Sequence, residues 1–144
     1  MAVSIKQVTL WRKEVENQPG ILAKTLEGFA YGGADLEVVM GYRYPGNEGK
    51  AAIEVYPVSG RKVVDVAQAA GLSASTIPTL LVKGDNKAGL GHAIAQAIAD
   101  AGINVAFLVA QVIDTRYSAV VGFETEADAK KAAPLIKKAK PRKG

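Results

Sequence analysis

A chain of 144 residues with 49% hydrophobic and 22% charged side chains has the balance of a globular protein, with room for one domain or two small ones. It has no cysteine, which excludes a disulfide framework, thiolate zinc and thiol catalysis, and fits a reducing, cytoplasmic setting. The net charge of +4 is concentrated at the end, in Lys137, Lys138, Lys140, Arg142 and Lys143; without those five the +4 becomes −1, so the body shows no basic excess of the kind nucleic acid attracts.

Ile5 to Glu14 reads as one alternating strand, with Val8 and Leu10 on one face and Thr9, Trp11 and Lys13 on the other. A loop, Val15 to Gln18, leads to a helical pattern from Pro19 to about Tyr31, whose broad apolar face holds Ile21, Leu22, Leu26 and Phe29. Asn17 is placed to cap this helix, and Pro19 suits an early helical position. Gly32-Gly33 ends the helix. Asp35 to Tyr44 is a strand, Pro45 to Gly49 a hairpin loop, Lys50 to Val58 a third strand and Arg61 to Ala70 a second helix. Ser73 to Ile77 completes the half as a short fourth strand before Pro78.

The pattern then starts again. Leu80 to Lys83 opens a second unit, Ala88 to Ala101 is its first helix, Ile103 to Ile113 its second strand and Ser118 to Phe123 its third. Thr125 can cap a last helix that runs to about Ala139. Asn17-Gln18-Pro19-Gly20-Ile21-Leu22 returns 69 residues later as Asn86-Lys87-Ala88-Gly89-Leu90, and the same offset carries Gly33 to Gly102 and Asp35 to Asn104. An offset held through loop, helix and next strand is an internal repeat. The expectation is an α+β fold of two ferredoxin-like βαββαβ units, residues 1–76 and 77–139, each an antiparallel sheet with helices on one face, followed by a disordered basic tail, 140–144.

Several chemistries are excluded. One histidine, His92, and no cysteine cannot assemble a metal site or a nucleophilic triad, so no metal, cofactor or catalytic residue is expected. The Gly84–Gly89 stretch lacks the Lys-Ser/Thr of a phosphate loop, and Gly89-Leu90-Gly91 lacks the third glycine of a dinucleotide loop. No segment reads as a leader or a membrane span. What remains is the repeated loop. The backbone N–H groups that open a helix attract a carboxylate or phosphate, although a well-capped helix has the same residues with no ligand at all.

The repeated segments, with Phe29, Gly33-Ala34-Asp35-Leu36 and Gly102-Ile103-Asn104-Val105, resemble the ACT domain, twice over nearly the whole chain. The resemblance implies a stand-alone, non-catalytic regulatory module that binds an amino acid at an interface between ACT units and acts allosterically on a metabolic enzyme. It places the ligand on Asn17, Gln18, Pro19, Gly20 and Ile21 in the first unit and on Asn86, Lys87, Ala88, Gly89 and Leu90 in the second. Asp35 and Asn104, at the start of the following strands, would close the site. Because Asp35 replaces the family's asparagine, the second unit is expected to hold the ligand. A protein-interaction adaptor of the same fold is the alternative, and an RNA-binding ferredoxin-like domain a third, kept open by Tyr42, Tyr44 and Tyr56. A homodimer is expected, because Val105 to Ala110 is apolar on both faces and Trp11 lies on the face away from the helices.

Overall fold

The structure, a computed structural model, describes residues 3–142. Eight strands and four helices follow one another as β1 (Ser4–Val8), β2 (Trp11–Glu16), α1 (Ile21–Tyr31), β3 (Val38–Tyr44), β4 (Asn47–Tyr56), α2 (Arg61–Ala69), β5 (Ser73–Ala74), β6 (Thr79–Asp85), α3 (Leu90–Asp100), β7 (Val105–Ile113), β8 (Arg116–Phe123) and α4 (Glu126–Lys138). The strands form two antiparallel four-stranded sheets, β3-β4-β2-β5 and β7-β8-β6-β1. Each has the order of a ferredoxin-like βαββαβ unit, as the sequence led one to expect.

The two units are not consecutive in the chain. The apparent strand from Ile5 to Glu14 is two strands in two different sheets. Ser4–Val8 pairs with β6, from Ser4 opposite Lys83 to Val8 opposite Thr79, whereas Trp11–Glu16 pairs with β4 and β5. One compact unit therefore spans Thr9–Thr76, and the other combines residues up to Val8 with those from Ile77 onward. The first is inserted into the second. We refer to them as the inserted unit and the host unit. In the inserted unit the fourth strand is β5. In the host unit that place is taken by β1, and the positions 69 residues after Ser73 and Ala74 are Arg142 and Lys143.

The repeat is visible in the backbone. α1 and α3 begin and end 69 residues apart, at 11 residues each, and each is preceded by a glycine, Gly20 or Gly89, with a left-handed φ of 85°. No side chain caps either helix, so Asn17 does not serve as the expected cap, and Pro19 lies in the turn before the helix. The turn needs a residue that tolerates positive φ, and glycine meets that need in both copies. Thr125 does cap α4, its hydroxyl accepting from the Asp128 N–H at 3.0 Å.

Each unit has its own core on the helix side of its sheet. In the inserted unit Val15, Phe29, Ala51, Ile53, Val55, Ala67 and Leu72 form it, with Trp11, Ile21 and Leu26 packed against them. Trp11 thus faces the helices and not the opposite side, a parity error that follows from reading β1 and β2 as one strand. In the host unit the core is built around Leu80, Val82, Leu90, Ile94, Ile98, Tyr117, Val121, Phe123 and Ile136. Ala139 and Pro141 are half-buried, so the tail lies on the host unit as far as Arg142, and Lys143 and Gly144 fall outside the described residues.

Candidate functional site

In the inserted unit β2 ends at Glu16 and the chain turns into α1 through Asn17 to Gly20. Asn17 ties this loop to the β3–β4 hairpin. Its backbone N–H donates to the Gly49 carbonyl and its side-chain Nδ2 to the Glu48 carbonyl, both at 2.9 Å. The Ile21 N–H reaches back to the Gln18 carbonyl at 3.2 Å and the Lys24 N–H to the Gly20 carbonyl at 2.9 Å. The N–H groups of Leu22 and Ala23 have no intrahelical acceptor, as in any first turn.

Below this helix start is a cavity of about 550 Å³. Val15, Ala51 and Ile53 form its floor, Ile21 and Leu22 its wall, and Asn17, Gln18 and Arg43 its polar rim. It exists because two floor positions are small. Gly41 presents no side chain toward Leu22, whose methyl groups would be 3.5 Å from a Cβ there, and Ala51 contributes a single methyl. The Arg43 guanidinium, 3.7 Å from the Glu48 carboxylate, is an exposed partner in a pair that contributes little to stability. No acidic side chain lines the cavity. The volume falls within the roughly 300–1,000 Å³ of small-molecule sites. An open apolar groove rimmed by amide, guanidinium and helix N–H donors can hold a carboxylate beside an apolar side chain.

The host unit closes the corresponding place. Val15 and Arg43 pair with Ala51, whereas their repeat counterparts Gly84 and Val112 pair with Tyr117. Tyr117 therefore stands where Ala51 does. Its side chain is 4% exposed, and its hydroxyl would be 3.8 Å from a Cβ on Gly91, in the first turn of α3. The substitution comes from a shift in the β3–β4 pairing between Arg43 and Tyr44, which gives β4 three more hairpin residues than β8. That shift breaks the 69-residue register within the sheet, and nothing in the loop motif signals it. The tail covers the same helix start, with Pro141 Cβ 3.4 Å from where a Gly89 Cβ would stand. What remains beside Lys87 and Leu90 is a cavity of about 230 Å³.

The other residues singled out from the sequence are spread along the helices. Asn86 donates its N–H to the Thr115 carbonyl at 2.8 Å, which ties its loop to the β7–β8 turn as Asn17 ties the first. Asp35 and Asn104 lie beyond the far ends of α1 and α3, a helix length of about 16 Å from the loops. Asn104 is exposed, with its amide 3.4 Å from the Glu124 carboxylate. Within one unit neither can share a ligand with its own loop. Gly41, Arg43 and Ala51, which shape the open cavity, were not singled out from the sequence. Their only signal is a small residue in each of two neighbouring strands, Gly41 in β3 and Ala51 in β4.

The opposite face of the inserted sheet carries a polar cluster. Glu54 is 1% exposed, and its Oε2 accepts from the Tyr42 hydroxyl at 2.7 Å and lies 4.0 Å from Arg12 Nε. Tyr44 accepts from Arg12 and donates to Glu14 at 2.7 Å. Tyr42 and Tyr44, two of the three tyrosines that kept an RNA-binding reading open, are thus engaged with side chains of their own sheet. Among the described residues no group of three or more His, Cys, Asp or Glu is placed to hold a metal ion. No helix among them is long and apolar enough to cross a membrane.

Two ferredoxin-like units with a glycine-gated strand–helix loop in each give the chain the tandem ACT-type fold. Solved structures share it. The protein BT0572 of Bacteroides thetaiotaomicron is similar with a TM-score of 0.71 at 11% identity, over 93% of this chain and 98% of that one. The ligand-free regulatory subunit of aspartate kinase from Thermus thermophilus is similar with a TM-score of 0.63 at 16% identity, over 96% and 97%. Aspartate kinase of Clostridium acetobutylicum, an allosteric enzyme, is similar with a TM-score of 0.61 at 13% identity, over 94% of this chain and 33% of that one. No family model and no curated protein matches the sequence.

Proposed function

We propose that this chain is a non-catalytic regulatory module that binds a free amino acid in the cavity at the start of α1 and transmits its occupancy to an enzyme of amino-acid metabolism. One observation carries the reading: the side chains of Asn17, Gln18 and Arg43 and the start of α1 line that cavity, offering donors for a carboxylate and amide oxygens for an ammonium, over an apolar floor left open by Gly41 and Ala51. The ligand carboxylate meets Asn17, Gln18 and the α1 N-terminus, and its side chain lies on Val15, Ile21 and Ile53. The similar regulatory subunits of aspartate kinase support the regulatory role. The inserted unit replaces the host unit as the binding unit, because Tyr117 and Pro141 occupy the second loop.

The working form is a homodimer. Its support is β7, an edge strand whose Val109, Val112 and Ile113 are 51%, 49% and 60% exposed. The apolar outer edge of this nine-residue strand, which pairs with β8 on its other side, invites pairing with a second copy. In that setting Asp35 or Asn104 of the second copy closes the ligand site.

A thermal-shift screen of the twenty amino acids, followed by calorimetric titration, tests the function. A ligand at 100 times its dissociation constant adds about 2.7 kcal/mol of stability, which moves the transition by several degrees. If none of the twenty moves it, the adaptor reading of the same fold takes its place.

A further inference from the structure

We propose that β1 is a conditional strand: its place in the host sheet depends on the inserted unit being folded, so whatever stabilises the inserted unit also secures the edge of the host sheet. The inference rests on the path of the chain and holds whatever the α1 cavity binds. β1 pairs with β6 as far as Val8 opposite Thr79, and the 70 residues 9–78 lie between those two partners. Bringing strands together across so long a loop is opposed by chain entropy. The folded inserted unit removes most of that opposition, because it holds its own two ends side by side. Trp11 pairs with Ala74, Arg12 with Ser73, and the Ser75 N–H donates to the Leu10 carbonyl at 2.8 Å. The loop that remains is Thr9, Leu10 and residues 75–78, six residues in place of 70. Closure becomes harder with about the three-halves power of loop length, so this shortening favours it roughly fortyfold.

A factor of that size matters because β1 is weakly held. It is an edge strand of five residues, with Ser4, Lys6 and Gln7 exposed. Its side chains hold it through the buried Val8, the half-buried Ile5 on the host core and a 2.6 Å bond from Gln7 Nε2 to Glu126, with Val3 buried just before it. Short, half-exposed elements of this kind lie at the low end of local stability. When β1 leaves, the edge of β6 that carries Leu80, Leu81 and Val82 is unpaired, and an apolar strand edge accepts a strand from another chain. The host unit therefore offers that edge when the inserted unit loosens and withdraws it when the inserted unit tightens.

Native-state hydrogen exchange of the full chain tests this, with the β1 amides bonded to β6 read against those between β7 and β8. Phe29→Asp puts a charge into the core of the inserted unit, where Phe29 is 1% exposed, and should open that unit. The β1 amides should then exchange roughly fortyfold faster, while the β7–β8 amides keep their protection. A second variant leaves the inserted unit folded. Twelve Gly and Ser residues placed between Thr76 and Ile77 lengthen the free loop to about 18 residues and should speed β1 exchange about fivefold, with the β3–β4 amides as protected as in wild type. If Phe29→Asp is insoluble, the insertion variant decides alone. Unchanged β1 exchange in the insertion variant, or in Phe29→Asp with the inserted unit open, overturns the proposal. Equal loss of protection in all four host strands also overturns it, since the two units would then unfold as one.

Discussion

Phe107 on β7 lies across Gly122 on β8, so close that a Cβ on Gly122 would stand 2.2 to 2.8 Å from three atoms of its ring. The glycine is there to admit the ring. Gly122→Ala should force Phe107 off its position and cost about 1–3 kcal/mol, the usual penalty of overpacking. Chemical denaturation measures it. Combining Gly122→Ala with Phe107→Ala should cost less than the sum of the two single changes, because the second removes the clash created by the first.

Gly20 and Gly89 should be intolerant for a different reason. Both take φ of 85°, where an L side chain costs about 1–2 kcal/mol. A Cβ at Gly20 meets nothing within 4 Å, so Gly20→Ala isolates the conformational cost, whereas Gly89→Ala also presses on Pro141. Denaturation midpoints should therefore rank Gly89→Ala below Gly20→Ala. Gly49→Ala, whose φ is outside the left-handed region and whose Cβ would be 3.9 Å from Asn47 Oδ1, should be close to neutral.

The buried carboxylate of Glu54 makes a prediction in pH. Burial, and then the bond to Glu54, push the Tyr42 hydroxyl up to about 12. In the unfolded chain it ionises near 10. The raised folded value means that the contribution is complete below pH 10 and is lost as pH rises through about 12. Tyr42→Phe leaves Glu54 Oε2 without its nearest donor and should cost about 1.5–3 kcal/mol at neutral pH. The gap between wild type and Tyr42→Phe should narrow from pH 10 to 12. A gap constant over that range would mean that the bond is not formed in solution.

The dimer has a simple test at Leu108, 38% exposed on the edge strand β7. Leu108→Glu places a charge in the proposed contact and should give monomers or insoluble protein. Light scattering should find a wild-type dimer at micromolar concentration. A wild-type monomer there removes the reading of β7 as a pairing edge.

For the amino-acid site the informative position is Gly41. A side chain there makes ordinary contact with Leu22, and valine is at home in a strand, so Gly41→Val should fold. It takes up the room of the ligand side chain and should weaken amino-acid binding at least tenfold. The matching change in the host unit, Ala110→Val, should have no effect, because Tyr117 already fills that side. Asn104→Ala distinguishes the arrangements: a loss of binding places the second copy's Asn104 on the ligand, and no loss leaves the α1 cavity self-sufficient.

The sequence by itself determined the repeat, all four helices, the glycine that opens α1 and α3, and hence the ferredoxin-like units. These are local matters. Helix periodicity, a positive φ and a Thr125 cap are settled by residues within a few positions of one another. Only the tertiary structure decided that Ser4–Val8 belongs to the host sheet, because the alternation from Ile5 to Glu14 runs unbroken through the crossing at Thr9 and Leu10, and strand partners are chosen at a distance. It also decided which of two loops with the same glycine turn stays open. Three extra hairpin residues bring Ala51 opposite Val15 in one unit, whereas Tyr117 lies opposite Gly84 in the other. Side-chain pairing across a sheet depends on register, and register is set by contacts between strands rather than by the order of residues within one.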